Sequence, residues 1–357
     1  MTKLRRNRLI VVLGMHRSGT SAITRGLQVL GVDLGAQLIP PVDGINAKGF
    51  WEDIHFNALD VEMLAAIESD WTNVGAIDTN DVEVLHRQGY FLRALELVKG
   101  KVSSSPVFAF KDPRVAKLLP FWTEVFAYGK FDVSYVLAVR HPLSVAKSLT
   151  KRDGLEAEQS YLLWLGHVLT SLSNSADKKR VLVDYDRLMQ SPDHELSRIA
   201  KHLELEIDPT ELQNYKTEFL DEELRHTFYN LSHLLLDDAC PPLVQEIYSD
   251  LLDVASDSSM FSGLESKVAR WLDEFERLKS TLKLIDKFLA RIAQSEGQIV
   301  DLSHTIAERD RKIVDLSHTI TERDRKIEEI ISTISWKLTR PLRVVSRALS
   351  RLLNILS

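Results

Sequence analysis

Leu9-Ile10-Val11-Val12-Leu13, followed at once by Gly14-Met15-His16-Arg17-Ser18-Gly19-Thr20-Ser21, is the stretch around which the chain is organised. A short apolar run closed by glycine reads as a buried parallel strand ending in a tight turn. Ile23, Leu27, Val29 and Leu30 then recur at helical spacing, so a helix is expected, with Ser18, Thr20 or Ser21 supplying the capping hydroxyl. Strand, glycine-bearing loop and helix start form a cradle for a phosphate or sulfate, because the first-turn N–H groups converge on an anion.

Gly14 and Gly19 keep the spacing of the nucleotide-triphosphate loop G-x-x-x-x-G-K-[ST], but Thr20 stands where the lysine should be. The cation has moved inside the loop, to Arg17. A kinase reading therefore loses its γ-phosphate contact, whereas transfer of a smaller anion from a nucleotide stays open. The plain alternative is a Gly-Thr-Ser turn that merely precedes a helix.

The chain has 357 residues, 44% hydrophobic and 27% charged, enough for one large domain with an appendage or for two domains. A net charge of −6 argues against nucleic acid as the main partner. One cysteine, Cys240, excludes an internal disulfide and a cysteine-rich zinc site, and fits a reducing compartment. Lys3, Arg5, Arg6 and Arg8 precede an apolar run too short for a signal peptide, and no stretch is apolar enough to span a bilayer, so a cytoplasmic location is expected.

Glycines 31 and 35 with Pro40-Pro41 mark a loop that ends in Lys48-Gly49-Phe50-Trp51-Glu52-Asp53 before a helical pattern. Glu52 or Asp53 is a candidate general base, although acids also suit a helix start for its dipole alone. Val107 to Phe110 reads as a second strand delivering Lys111-Asp112-Pro113-Arg114, where Lys111 would reach the same anion as Arg17 or else form a surface pair. Val133 to Val139 is a third strand, ending in Arg140-His141-Pro142, with Ser148 two helical turns beyond; Arg140 and Ser148 would hold one phosphate together. Tyr161 to Leu172 reads as a core helix, and Val181-Leu182-Val183 as a fourth strand before Asp184-Tyr185-Asp186-Arg187-Leu188. Strands alternating with helices argue an α/β fold with a mostly parallel sheet.

These places together resemble the 3′-phosphoadenosine 5′-phosphosulfate (PAPS)-dependent sulfotransferases. In that family a loop of the form P-K-S-G-T-T binds the 5′-phosphosulfate, and His16-Arg17-Ser18-Gly19-Thr20-Ser21 is similar to it, with Gly14 at its start. An Arg at a strand end with a Ser eight residues on binds the 3′-phosphate there, as Arg140 and Ser148 are spaced. Val183 to Leu188 with Ser191-Pro192 resembles the family's Y-E-D-L…P segment, and Lys111-Asp112-Pro113 its K-D-P. The catalytic His of the cytosolic branch has no equivalent. Gly49 to Asp53 instead looks like the Glu-bearing loop of the carbohydrate and tyrosyl branches, which makes Glu52 the expected base, with Asp53 and Asp112 behind it. The cytosolic Arg-Lys-Gly segment is absent, and Leu224-Arg225-His226 is its nearest substitute. The resemblance implies PAPS as co-substrate, no metal, and transfer to a carbohydrate hydroxyl; a P-loop kinase and a non-catalytic scaffold are the alternatives.

Further along, Val268, Trp271, Phe275, Leu278, Leu282, Ile285, Leu289 and Ile292 step by threes and fours, as a coiled-coil seam does. The register is expected to break at Ser295-Glu296-Gly297, with a hinge at Gly297. The fourteen-residue unit 299–312 then repeats almost verbatim as 313–326, its seam interrupted by Arg309 and Arg323, which points to self-association in a restricted register; a single long solvated helix is the alternative. Trp336 opens a basic amphipathic tail, with Leu342, Val345, Leu349, Leu352 and Leu356 on one face and Arg340, Arg343, Arg347 and Arg351 around them, suited to an anionic membrane surface or to a glycan-assembly protein. The expected organisation is a P-loop-type parallel sheet flanked by helices over residues 1–235, a helical connection over 236–262, a coiled coil over 263–336 broken near 295–297, and the tail over 337–357.

Overall fold

Burial on both faces explains why the first strand has no polar alternation. In the computed structural model, which describes residues 8–42, 46, 48–220, 229–256 and 261–356 (the side chains of 352 and 354–356 excepted), β1 (Arg8–Leu13) lies inside a four-stranded sheet. Lys3, Arg5, Arg6 and Leu224-Arg225-His226 lie outside the described residues.

After β1 come α1 (Thr20–Gln28), α2 (Ile54–Ala66), α3 (Thr79–Arg87) and α4 (Tyr90–Ser103). Then follow β2 (Val107–Lys111), α5 (Pro113–Gly129), β3 (Asp132–Val139), α6 (Pro142–Asp153), α7 (Ala157–Asn174) and β4 (Lys179–Asp184). Helices α8 (Tyr185–Gln190), α9 (Pro192–Leu203) and α10 (Pro209–Asn214) precede α11 (Leu231–Leu235), α12 (Pro242–Ser256) and α13 (Phe261–Arg277). The chain continues with α14 (Lys279–Ser332), α15 (Ile334–Leu338) and α16 (Arg340–Leu356).

The strand order is β2-β1-β3-β4, every pairing parallel. Alternate strand residues feed two cores. Leu9, Val11, Leu13, Phe108 and Phe110 face α2 to α7, while Ile10, Val12, Ala109, Val136 and Val183 face α1 and α9. All four carboxyl ends therefore lie along one edge, and the connections leave β1 to opposite sides, which places a topological switch point at the end of β1.

Contacts divide the chain into a unit ending at Asp286 and a unit beginning at Lys287. This corrects the expected boundary at 235. Helices α12 and α13 and the start of α14 belong to the first unit's core: Ile247 and Leu251 of α12, Val268, Trp271 and Phe275 of α13, and Leu282 of α14 are buried in it, with Phe275 against Gly166 of α7. A three-four apolar stripe describes any helix that buries one face, whatever covers that face. The expected break at 295–297 is also corrected, because α14 runs through Gly297 without interruption. One glycine in a helix interior costs only about 1 kcal/mol relative to alanine. Ile292 and Ile299 are one heptad apart, so the stripe stays in phase and Ser295 merely occupies a core position.

In the second unit α14 continues from Lys287, followed by α15, capped by Thr333, and by α16, which starts with Pro341 in its first turn. Arg343 stacks over Trp336 with its guanidinium 3.7 Å from the ring centre. Among the described residues no helix is long and apolar enough to cross a membrane.

Candidate functional site

The loop 14–19 is held close against the sheet. A Cβ on Gly14 would sit 2.8 Å from the Ala138 carbonyl oxygen of β3, so only glycine lets the chain leave β1 there. Gly19 has φ +80° and is covered by Tyr185, whose ring a Cβ would meet at 2.0 Å. Between them Arg17 takes φ +67°, a left-handed conformation that costs a non-glycine residue on the order of 1–3 kcal/mol and needs outside support. Support comes from distant sequence. Arg140 Nη1 donates to the Arg17 carbonyl at 3.1 Å, and Arg17 Nε donates to Ser148 Oγ at 2.7 Å.

The expected hydroxyl cap on α1 is not there. The N-cap residue is Gly19, which has no side chain to cap with, while Ser21 Oγ donates to the Phe50 carbonyl at 3.0 Å and Thr24 Oγ1 donates to the Thr20 carbonyl. First-turn N–H groups thus remain for an anion. Arg140 and Ser148 do not touch each other; both are joined through Arg17, and the Arg140 guanidinium lies over Tyr185, 4.6 Å from the ring centre. Arg140 Nε is buried with no hydrogen-bond partner among the described residues, a donor left over for something else.

On the other side of the loop, Lys111 at the end of β2 donates to Glu52 Oε1 at 2.7 Å and lies 3.4 Å from Ser21 Oγ. The pair is nearly dry, its side chains 2% and 9% exposed, so the alternative of a surface ion pair does not apply to Lys111. Burial pushes the Glu52 carboxyl above its ordinary range; Lys111 partly opposes this and the charge of Asp112 adds to it.

Asp53 and Asp112 are occupied elsewhere. Asp53 caps α2 through the His55 and Phe56 N–H groups and pairs with Lys101. Asp112 caps α5 and takes Arg114 Nη1 on both oxygens at 3.1 Å. Asn57, which the sequence does not single out, donates from one nitrogen to Glu52 Oε2 at 3.1 Å and to Asp112 Oδ2 at 2.8 Å. Its only sequence signal is its place one turn after Asp53 on α2. Behind this group Asp60 is fully buried, one oxygen on Trp122 Nε1 at 2.9 Å; burial, and then the charge of Asp112, holds its carboxyl well above the usual range.

His16 was expected among the anion-binding residues. Its ring instead packs on Trp71, 4.4 Å between centres, and burial followed by the charge of Arg114 keeps its pKa well below the ordinary histidine value, so it offers no positive charge near neutrality. Among the described residues no group of three or more His, Cys, Asp or Glu could hold a metal ion.

The arrangement brings Arg17, Arg140 and Ser148 together on one side of the loop and the buried Glu52, Lys111 and Asn57 on the other. No family model and no curated protein matches the chain. Among solved structures it is similar to the sulfotransferase domain of the Synechococcus PCC 7002 olefin synthase, at 16% identity and TM-score 0.34 over 70% of this chain and 97% of that one. The sulfotransferase domain from the curacin biosynthetic pathway gives 17% and 0.35 over 58% and 77%. A retinol dehydratase in complex with androsterone and the inactive cofactor PAP gives 13% and 0.33 over 77% and 81%. Likenesses this low carry no residue-by-residue correspondence.

Proposed function

We propose that the chain transfers a sulfuryl group from PAPS to a hydroxyl of a carbohydrate acceptor, in a surface polysaccharide or glycolipid. The observation that carries this reading is the convergence on one loop of Arg17, Ser21, Lys111, Arg140 and Ser148, drawn from the ends of three strands and the helices that follow two of them, with a buried carboxylate beside them and no loop lysine. A triphosphate-cleaving site needs the missing lysine and a metal; two separated anionic groups on one nucleotide need two sets of donors. The nucleotide supplies the sulfuryl group. The loop N–H groups, Arg17 and Lys111 offset the charge that gathers on the leaving phosphate oxygen, and Arg140 with Ser148 holds the second phosphate. Glu52 takes the proton of the acceptor hydroxyl, and burial, which raises its pKa, makes it a stronger base than an exposed carboxylate. Choosing a carbohydrate acceptor rests on the Glu-bearing loop 49–53. The basic tail 337–357 fits a lipid-linked acceptor, since it would keep the enzyme at an anionic membrane surface.

Calorimetric titration with adenosine 3′,5′-bisphosphate in excess chelator tests the nucleotide site. Binding without metal is expected, weakened roughly 10- to 100-fold in Arg17→Ala, the loss of one charge-assisted hydrogen bond of about 1.5–3 kcal/mol. Magnesium-dependent ATP binding would support the kinase, and binding of neither nucleotide the scaffold. Turnover of labelled PAPS against a panel of glycans then names the acceptor.

A further inference from the structure

Beyond Asp286, α14 carries an apolar seam that no described residue covers. Ile292, Ile299, Ile306, Ile313, Ile320 and Ile327 recur every seven residues, each between 52% and 63% exposed. Three residues after each of them stand Ser295, Leu302, Arg309, Leu316, Arg323 and Ile330. The first set occupies heptad position a and the second position d. A strict seven-residue period winds helices into a left-handed supercoil; isoleucine at every a with leucine at d, as at Leu302 and Leu316, favours two parallel strands, and polar core residues such as Arg309 and Arg323 restrict the oligomer state further. The seam from Ile292 to Ile330 is about 58 Å long at 1.5 Å per residue.

Its exceptions identify the occupant. Arg309 and Arg323 sit at d, and Asp310 and Asp324 follow them at e. In a parallel pair in register a d side chain packs against the d and e residues at the same level of the other strand, so each Arg309 meets the partner subunit's Asp310 and each Arg323 the partner subunit's Asp324. Antiparallel strands pair a with d. Because every a is isoleucine, both arginines would then lie against apolar side chains with no carboxylate at the same level. A slip of one heptad sets Arg309 opposite a leucine. A slip of two heptads keeps one Arg–Asp layer, because 299–312 repeats as 313–326, but it sets the other arginines opposite Lys337 and Ser295 and gives up two heptads of seam. The arginine layers thus exclude the odd slip and the antiparallel pairing, and seam length excludes the even slip. We infer that the chain forms a parallel, in-register, two-stranded coiled coil with a second copy of itself over Ile292–Ile330, with two Arg–Asp layers setting orientation and register. This inference is independent of the catalytic reading.

Disulfide trapping of the full-length chain tests it, in a Cys240→Ser background that leaves no other thiol. Ile299→Cys and Ile327→Cys, made separately, should each link to an identical copy on mild oxidation, and the unoxidised wild-type chain should sediment at twice 40.6 kDa. A monomer at tens of micromolar, a three-chain mass, or linking only between a mixture of the two variants would overturn the inference. Asp310→Arg with Asp324→Arg should weaken dimerisation at least tenfold, and adding Arg309→Glu with Arg323→Glu should restore it. Dimerisation unchanged by the first pair of substitutions would remove the Arg–Asp layers from the account.

Discussion

Glu52 sits 2.7 Å from the Lys111 ammonium and still has a raised pKa, because the cost of holding a charge away from water exceeds what one neighbouring cation returns. The base proposed at Glu52 works only when deprotonated, so activity should be full at high pH and fall as pH drops through a value above the ordinary carboxylate pKa of about 4.3. Glu52→Gln, which keeps the shape and the Asn57 contact, should lower kcat/KM by roughly 10²- to 10⁴-fold and abolish that acidic limb. A pH–rate profile with the limb intact in Glu52→Gln would move the base to another residue. The two acids of the loop 49–53 were legible in sequence, and only the family resemblance put Glu52 ahead of Asp53; the physical reason was not legible. Asp53 is spent on capping α2 and pairing with Lys101, and that follows from where α2 and α4 pack.

Among the elements, α1 shows how a local rule is set aside. Three hydroxyl residues surround its start, yet the cap is Gly19, since Tyr185 leaves no room for a Cβ there and the hydroxyl of Ser21 turns to the Phe50 carbonyl. The tail is an element of a different kind. From 330 to the end the chain has no acid, while Lys337, Arg340, Arg343, Arg347 and Arg351 add five positive charges beside exposed Leu342, Val345 and Leu349. Each basic residue near an anionic membrane contributes about 1 kcal/mol, falling with salt. Co-sedimentation of the full chain with vesicles containing phosphatidylserine should exceed that with neutral vesicles by at least tenfold and decline at 0.5 M salt. Replacing Arg340, Arg347 and Arg351 by Gln should bring it to the neutral level. Equal recovery with both vesicle types would favour a protein partner for the tail.

For the whole molecule, the unit ending at Asp286 depends on helices that lie far along the chain. Trp271 is fully buried, Phe275 nearly so, and Asp286 accepts from the Val74 and Gly75 N–H groups at 2.7 and 2.8 Å. Losing one buried large aromatic costs about 3–5 kcal/mol, against a whole-domain stability of about 5–15 kcal/mol. A chain ended after Ala290 should therefore melt cooperatively near the full-length temperature, and one ended after Ser256 should show no cooperative transition by calorimetry. A cooperative, unshifted transition in the shorter chain would place α13 outside the core. The strands and the heptads are determined by sequence alone, because burial on two faces demands unbroken apolar runs and a seam demands a seven-residue period. Tertiary structure alone decided which helix with an apolar stripe docks on the domain and which stays exposed, and it decided that Arg17, Lys111, Arg140 and Ser148 share one loop. Period records that a face is buried but not against what, and side chains some 90 to 130 residues apart meet only when parallel strands bring their ends to one edge.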